Sequence, residues 1–567
     1  MSQPATNVFG NMYIIGRSLF LLFLAPLPVF AGSMTELPVV DLGYALHRAT
    51  SLNVTGNFYN FSNIRYGAPP TGNLRFRAPQ PATTNRSEVH DGSVGRICPQ
   101  AYPKWFSLET AFMASYLDGV PFNESTNPAD YPFVPLPTDP RTTEDCLFLD
   151  VLVPKEVMDK KGHARIGKGA PVLVWIYGGG YTFGDKTTQS GSPGLIARSK
   201  ADGSDGVIYV SFNYRLGAFG WLAGPSFSKQ GSPNVGLLDQ QLALLWVQKY
   251  IRLFGGDPQR VTVFGESAGA GSIMHQVTAY AGKRGPRPFQ QGLMQSPGYL
   301  PVPQKSRQEQ VYRQFIDILN VTTIEAARQL PSDVLISANA YHVGEFSYYG
   351  DFTYGPVVDG DFVPELPGIL LQRGEFFKEL KVMVGSNSNE GLPFTPPSTT
   401  DQSGYLEYLQ NSLPGVSHFA LEYISQVLYP PIFNDNFGYT TGLERGALTH
   451  SDLAFQCNTD FVNRAFNGET YAYRFSIPPG VHAEDLPYTF FNGPDQAVQN
   501  STVALILQDY IVNFAKSGIP SSSIGPVFET HGDARSVQNI GLENILTTLD
   551  PAASERCQWW QNAAYAS

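Results

Sequence analysis

Residues 254–269 read FGGDPQRVTVFGESAG. The last five, Gly265-Glu266-Ser267-Ala268-Gly269, form a G-x-S-x-G pentapeptide directly after the apolar run Val261-Thr262-Val263-Phe264. A β-branched run that meets this pentapeptide predicts a strand turning sharply into a helix, with one hydroxyl lifted above the sheet edge. The turn forces the serine backbone into a strained conformation. Side chains two residues to either side would collide, which is what the glycines avoid. Ser267 is therefore the candidate nucleophile, and the turn requires a sheet beneath it and helices packed on that sheet.

The neighbouring segments supply both. Residues 171–177 (PVLVWIY) and 206–212 (GVIYVSF) are continuous apolar runs, the pattern of strands buried on both faces. Residues 237–253 carry Leu238, Leu242, Leu245, Trp246 and Ile251 at helical spacing, and Gly255-Gly256-Asp257-Pro258 stops that helix. Residues 380–385 (LKVMVG) and 470–475 (TYAYRF) predict two more strands, with mostly helical sequence over 403–465 between them. Neither a repeat nor a linker interrupts the series. The expected fold is α/β, a mixed and mostly parallel central sheet flanked by helices, with long loop insertions, in a single domain over 32–567.

Residues 98–146 read as one long irregular segment, with Tyr102, Trp105, Phe106, Phe112, Tyr116, Phe122, Tyr131 and Phe133 among many prolines. Loops of this length in compact domains are usually functional, and this aromatic density predicts a wall over Ser267.

Of 567 residues, 42% are hydrophobic and 15% charged, which is the composition of a globular protein. The net charge of −11 argues against a nucleic-acid partner, which needs a basic face. Arg17 precedes an apolar run over 18–30, and Val29-Phe30-Ala31 ends in a small-residue pattern. Residues 1–31 are expected to be a cleaved secretion signal, the alternative being a retained anchor; the run is short for a membrane span. Export agrees with Asn-x-Ser/Thr sequons at Asn53, Asn60, Asn85, Asn123, Asn320 and Asn500. It also agrees with an even set of cysteines, Cys98, Cys146, Cys457 and Cys557, none in a C-x-x-C pair, which predicts two disulfides.

A serine hydroxyl needs a base, and the base needs an acid to orient it. In a sheet of this kind the chain order is serine, acid, histidine. His418, His450, His482 and His531 satisfy the order, and His482 stands in a loop just after the strand 470–475. Glu390 follows LKVMVG; Asp359 and Asp361 are rivals, although they sit in the turn Val358-Asp359-Gly360-Asp361. Backbone N–H groups must receive the oxyanion. Gly179 and Gly180, at the end of PVLVWIY, and Ala268, after the serine, are placed to do so. A base with an ordinary imidazole pKa of about 6.5 would lose activity in acid below that value. The chemistry calls for no metal and no cofactor.

With these motifs the chain resembles the type-B carboxylesterase/lipase family of α/β-hydrolases, the group that contains cholinesterases and secreted fungal lipases. FGGDPQRVTVFGESAG is similar to the family's nucleophile signature and Glu144–Val151 (EDCLFLDV) to its second signature. Residues 64–81 and 234–251 resemble further family blocks. The resemblance implies Glu390 and His482 as acid and base. It also implies a Cys98–Cys146 bridge closing a flap loop and a long-range Cys457–Cys557 bridge. Tyr177 stands where many lipases carry His, and Asn389 stands where Asp often precedes the acid. The implied function is a secreted serine hydrolase that cleaves carboxylic esters through an acyl-enzyme. Its substrate would be a small-molecule or lipid ester. A lipase acting on long-chain glycerides and an esterase tailoring a secondary metabolite are alternatives within that class. The rival of another class is a non-catalytic, esterase-like binding or adhesion protein.

Overall fold

The computed structural model of the chain describes residues 36–120, 122, 133, 138–160, 169–189 and 191–566. The predicted secretion signal and Asn123 lie outside them. The described residues from Leu37 onward form one compact unit.

Its frame is an eleven-stranded sheet. In chain order the strands are β1 (Ser51–Asn53), β2 (Phe58–Arg65), β3 (Phe148–Pro154), β4 (Ala170–Ile176), β5 (Ile208–Phe212) and β6 (Gly256–Glu266). They continue as β7 (Gln291–Gln295), β8 (Lys381–Asn387), β9 (Thr470–Phe475), β10 (Ser536–Ile540) and β11 (Ile545–Leu549). The spatial order is β11-β10-β9-β8-β7-β6-β4-β5-β3-β2-β1. The strands from β10 across to β5 pair in parallel, and the pairs at both edges are antiparallel. This is the mixed, mostly parallel sheet that the apolar runs predict. Val172–Ile176 in β4 and all of β5 and β7 are buried, as strands covered on both faces must be.

Four labelled helices bear on the site: α1 (Trp105–Leu117), α2 (Val235–Tyr250), α3 (Ala268–Thr278) and α4 (Gly442–Ser451). Strand β6 extends back to Gly256, so the glycine pair after α2 divides its roles. Gly255 ends the helical stretch at φ +89°, and Gly256 already pairs with β4.

The segment 98–146 departs from the irregular loop read from its prolines, because α1 lies inside it. Residues Trp105, Leu108, Phe112 and Met113 are buried on one face of that helix. Ala, Leu, Met and Glu between the aromatics favour helix, and burial of the aromatic face adds what propensity alone does not. Cys98 and Cys146 are bonded and fully buried at the base of this segment. Cys457 and Cys557 are bonded across 100 residues of sequence.

Candidate active site

Ser267 sits between the end of β6 and the start of α3 at φ +56° and ψ −125°, a conformation costly for a residue with a Cβ. The surroundings hold it there. Its N–H donates to the Gln295 carbonyl at 3.0 Å, and its own carbonyl accepts from Gly271 at 2.8 Å and Gly298 at 3.0 Å. The motif glycines are required by close approach. A Cβ at Gly265 would lie 2.7 Å from the Ile176 carbonyl oxygen, and one at Gly269 only 2.0 Å from it. Small residues thus let α3 start directly against β4.

The tract after β4 bends in the same region. Gly179 and Gly180 have φ of +96° and +56°, and the ring of Phe352 occupies the space a Cβ on Gly180 would take. Among the described residues, the N–H groups of Gly179, Gly180 and Ala268 donate no backbone hydrogen bond. Gly180, Ser267 and Ala268 line one cavity, whose walls include Tyr181, Tyr299, Phe352, Phe394 and Phe455. The aromatics of α1 stand one layer back: Trp105 is buried and packs on Tyr349, Phe352 and Phe394.

Glu390 and His482 meet. His482 Nδ1 lies 2.6 Å from Glu390 Oε2, and the carboxylate is fully buried. Its other oxygen accepts from the Ser296 hydroxyl at 2.6 Å and from the Asn387 backbone N–H. Those donors come from the ends of β7 and β8, so the acid is held by the sheet itself. The imidazole ring packs against Phe394 and Phe455 at 5.1 and 4.3 Å between centroids.

The other face of His482 meets a residue that sequence reasoning passed over, Glu266, the second position of the pentapeptide. Its Oε1 lies 3.2 Å from His482 Nε2, yet neither atom makes a hydrogen bond. A Cβ built on Gly178 would lie 2.9 Å from Ser267 Cβ and 3.0 Å from Glu266 Oε2, so serine and carboxylate converge on that glycine. Burial pushes the Glu266 carboxyl up to about 8. Burial alone would push His482 down, but the Glu266 and Glu390 carboxylates outweigh it and carry the imidazole up to about 9. Its position inside G-x-S-x-G marks closeness to the serine, but the contact with the imidazole comes from the fold.

The rival residues are engaged elsewhere. His418 is exposed at a helix start. His531 pairs with Asp550 at 3.1 Å. His450 reaches the cavity wall but bonds through Nδ1 to the Tyr408 hydroxyl. Asp359 caps its own turn, accepting from the N–H groups of Asp361 and Val363, and Asp361 is exposed beside Arg284.

Residues 39–560 match the carboxylesterase family. The carboxylesterase patB of Aspergillus clavatus is 41% identical over 550 residues, covering 95% of this chain and 98% of its own. A secreted lipase of Arthroderma benhamiae is 29% identical over 420 residues, covering 72% and 78%. Aspergillus niger EstA, known from its crystal structure, aligns with a TM-score of 0.76 at 23% identity, over 94% of this chain and 99% of that one. The last of these bears on the fold alone, which is that of the α/β-hydrolases.

Proposed function

The chain belongs to the carboxylesterase family and is a carboxylic ester hydrolase, and we propose that it works through Ser267, His482 and Glu390. The observation that carries this reading is the state of His482. A buried carboxylate holds Nδ1 at 2.6 Å, while Nε2 makes no hydrogen bond. Nε2 takes the serine proton as Oγ attacks the ester carbonyl. Glu390 holds the ring and stabilises the imidazolium. The imidazolium then protonates the departing alkoxide, and water, activated by the same base, releases the acid. The N–H groups of Gly179, Gly180 and Ala268 receive the oxyanion, each worth about 2.7–4 kcal/mol.

Aromatic rings line the cavity beside Ser267, and Phe352 presses directly on Gly180. This favours short or compact esters over long-chain glycerides. The test is hydrolysis of p-nitrophenyl esters across acyl lengths. A burst of one equivalent of p-nitrophenol and a kcat/KM that falls beyond short acyl groups are expected. A maximum at long chains would instead favour a lipase, and no turnover of any ester would favour the non-catalytic binding protein.

The pH dependence follows from the two carboxylates around His482. The base works only when neutral, so activity is lost as pH falls through the imidazole pKa. Because that pKa is raised, the acid limb of kcat/KM should lie above the ordinary 6.5. Glu266→Gln removes one of the raising charges and should move the limb to lower pH. A pH–rate profile of the two proteins decides this, and a parent limb at or below 6.5 would contradict it.

The same reading includes export, with residues 1–31 as the signal. It is supported by two disulfides, which suit an oxidising compartment, and by a similar protein named as a secreted lipase. No helix among the described residues is long and apolar enough to cross a membrane. Of the sequons, Asn85 and Asn320 are exposed and best placed for glycans. Asn500 is half-buried, with its side-chain oxygen capping the helix Ser501–Ser517.

A further inference from the structure

His450 lies at the C-terminal end of α4, only 1% exposed, on the wall of the cavity that holds Ser267. Its Nδ1 lies 3.0 Å from the Tyr408 hydroxyl, and its Nε2 has no hydrogen bond among the described residues. The ring is fixed in place. It stacks on Phe394 at 5.1 Å and 12°, and Phe394 in turn meets the His482 ring edge-on at 5.1 Å. His450 therefore stands one aromatic ring away from the candidate base, but the mechanism above gives it no task.

Most other polar groups on this wall are committed elsewhere. The Tyr181 hydroxyl donates to the Gly298 carbonyl, Thr353 bonds to Ser347, and the Tyr354 hydroxyl bonds to His342. One Asp351 oxygen accepts from the N–H groups of Phe352 and Thr353. Besides Ser267 itself and the second Asp351 oxygen, which lies 3.8 Å from Arg307, what remains on a wall of aromatic and aliphatic side chains is a buried imidazole with one nitrogen unpartnered among the described residues. Burial pushes its pKa down to about 3, so the ring stays neutral wherever the enzyme works. When the Tyr408 O–H donates to Nδ1, the ring proton sits on Nε2, and the cavity is offered an N–H donor.

Resting on the ester-hydrolase reading of this site, we propose that His450 selects esters whose cavity-filling group carries a hydrogen-bond-accepting oxygen, such as a ketone, ether or hydroxyl. A buried N–H that meets such an oxygen is satisfied. The same N–H facing a plain alkyl chain is left unpaired, and sites built on buried polar groups discriminate for that reason.

The test uses matched pairs of esters of equal length, one plain alkyl and one oxygenated. One pair is varied on the acyl side and another on the alcohol side. The parent should prefer the oxygenated member of at least one pair in kcat/KM. His450→Phe keeps the ring and its stacking but removes the nitrogen, and should lower that preference by roughly 10-fold. His450→Gln, which keeps an N–H, should retain part of it. A parent with no preference in either pair, or a preference unchanged in His450→Phe, overturns the proposal. Fluorophosphonate labelling of Ser267 in the parent, measured alongside, separates this outcome from failure of the nucleophile assignment.

Discussion

Ser267→Ala should lower kcat for ester hydrolysis by a factor on the order of 10⁶, leaving only what the oxyanion donors and substrate binding supply. The substitution removes Oγ and nothing else. Alanine keeps the Cβ that faces Gly178, and the strained backbone is held by its own N–H donating to the Gln295 carbonyl and by the N–H groups of Gly271 and Gly298 donating to its carbonyl, rather than by the hydroxyl. The unfolding midpoint should therefore stay close to that of the parent. Activity retained within 10-fold of the parent would place the chemistry on another residue.

Glu390→Gln should be the next most severe change, with kcat falling on the order of 10⁴ while the fold persists. A neutral amide at this position no longer stabilises the imidazolium, and it permits the wrong tautomer of His482. The buried donors from Ser296 and Asn387 would still be partly satisfied by the amide oxygen. Steady-state kinetics settle this. Asp359→Asn supplies the comparison, because Asp359 serves its own turn and the change should leave kcat near that of the parent. A larger loss in Asp359→Asn than in Glu390→Gln would reverse the assignment of the acid.

What the sequence by itself makes legible is local. Residues 254–269 dictate a strand, a turn and a helix because steric limits within a few residues leave few options. The apolar runs 171–177 and 206–212 announce buried strands for the same reason. Glu390 and His482 were legible as a pair only through chain order and position after strands, and the resemblance chose between them and their rivals. What stayed hidden depends on distant packing. Nothing near Glu266 reveals that its carboxylate would face an imidazole 216 positions later in the chain, nor that this contact raises the imidazole pKa. Ser296 and Asn387, which hold Glu390, sit at the ends of separate strands that only the sheet order makes neighbours. Helix α1 was masked by prolines around it and by aromatics that gain helical stability only when buried. Its rings back the cavity wall behind Phe352 and Phe394, a distinction between first and second layers that periodicity does not carry.

The central claim, that Ser267 is the nucleophile of an acyl-enzyme mechanism, is met most directly by reaction with a fluorophosphonate followed by intact-mass and peptide mass spectrometry. Attack by Oγ on phosphorus expels fluoride and leaves one stable adduct. The parent should gain a single adduct, confined to the peptide that contains Ser267, with loss of activity in step with labelling, and Ser267→Ala should gain none. An adduct on any other residue, or a parent that hydrolyses esters at full rate without being labelled, would contradict the account.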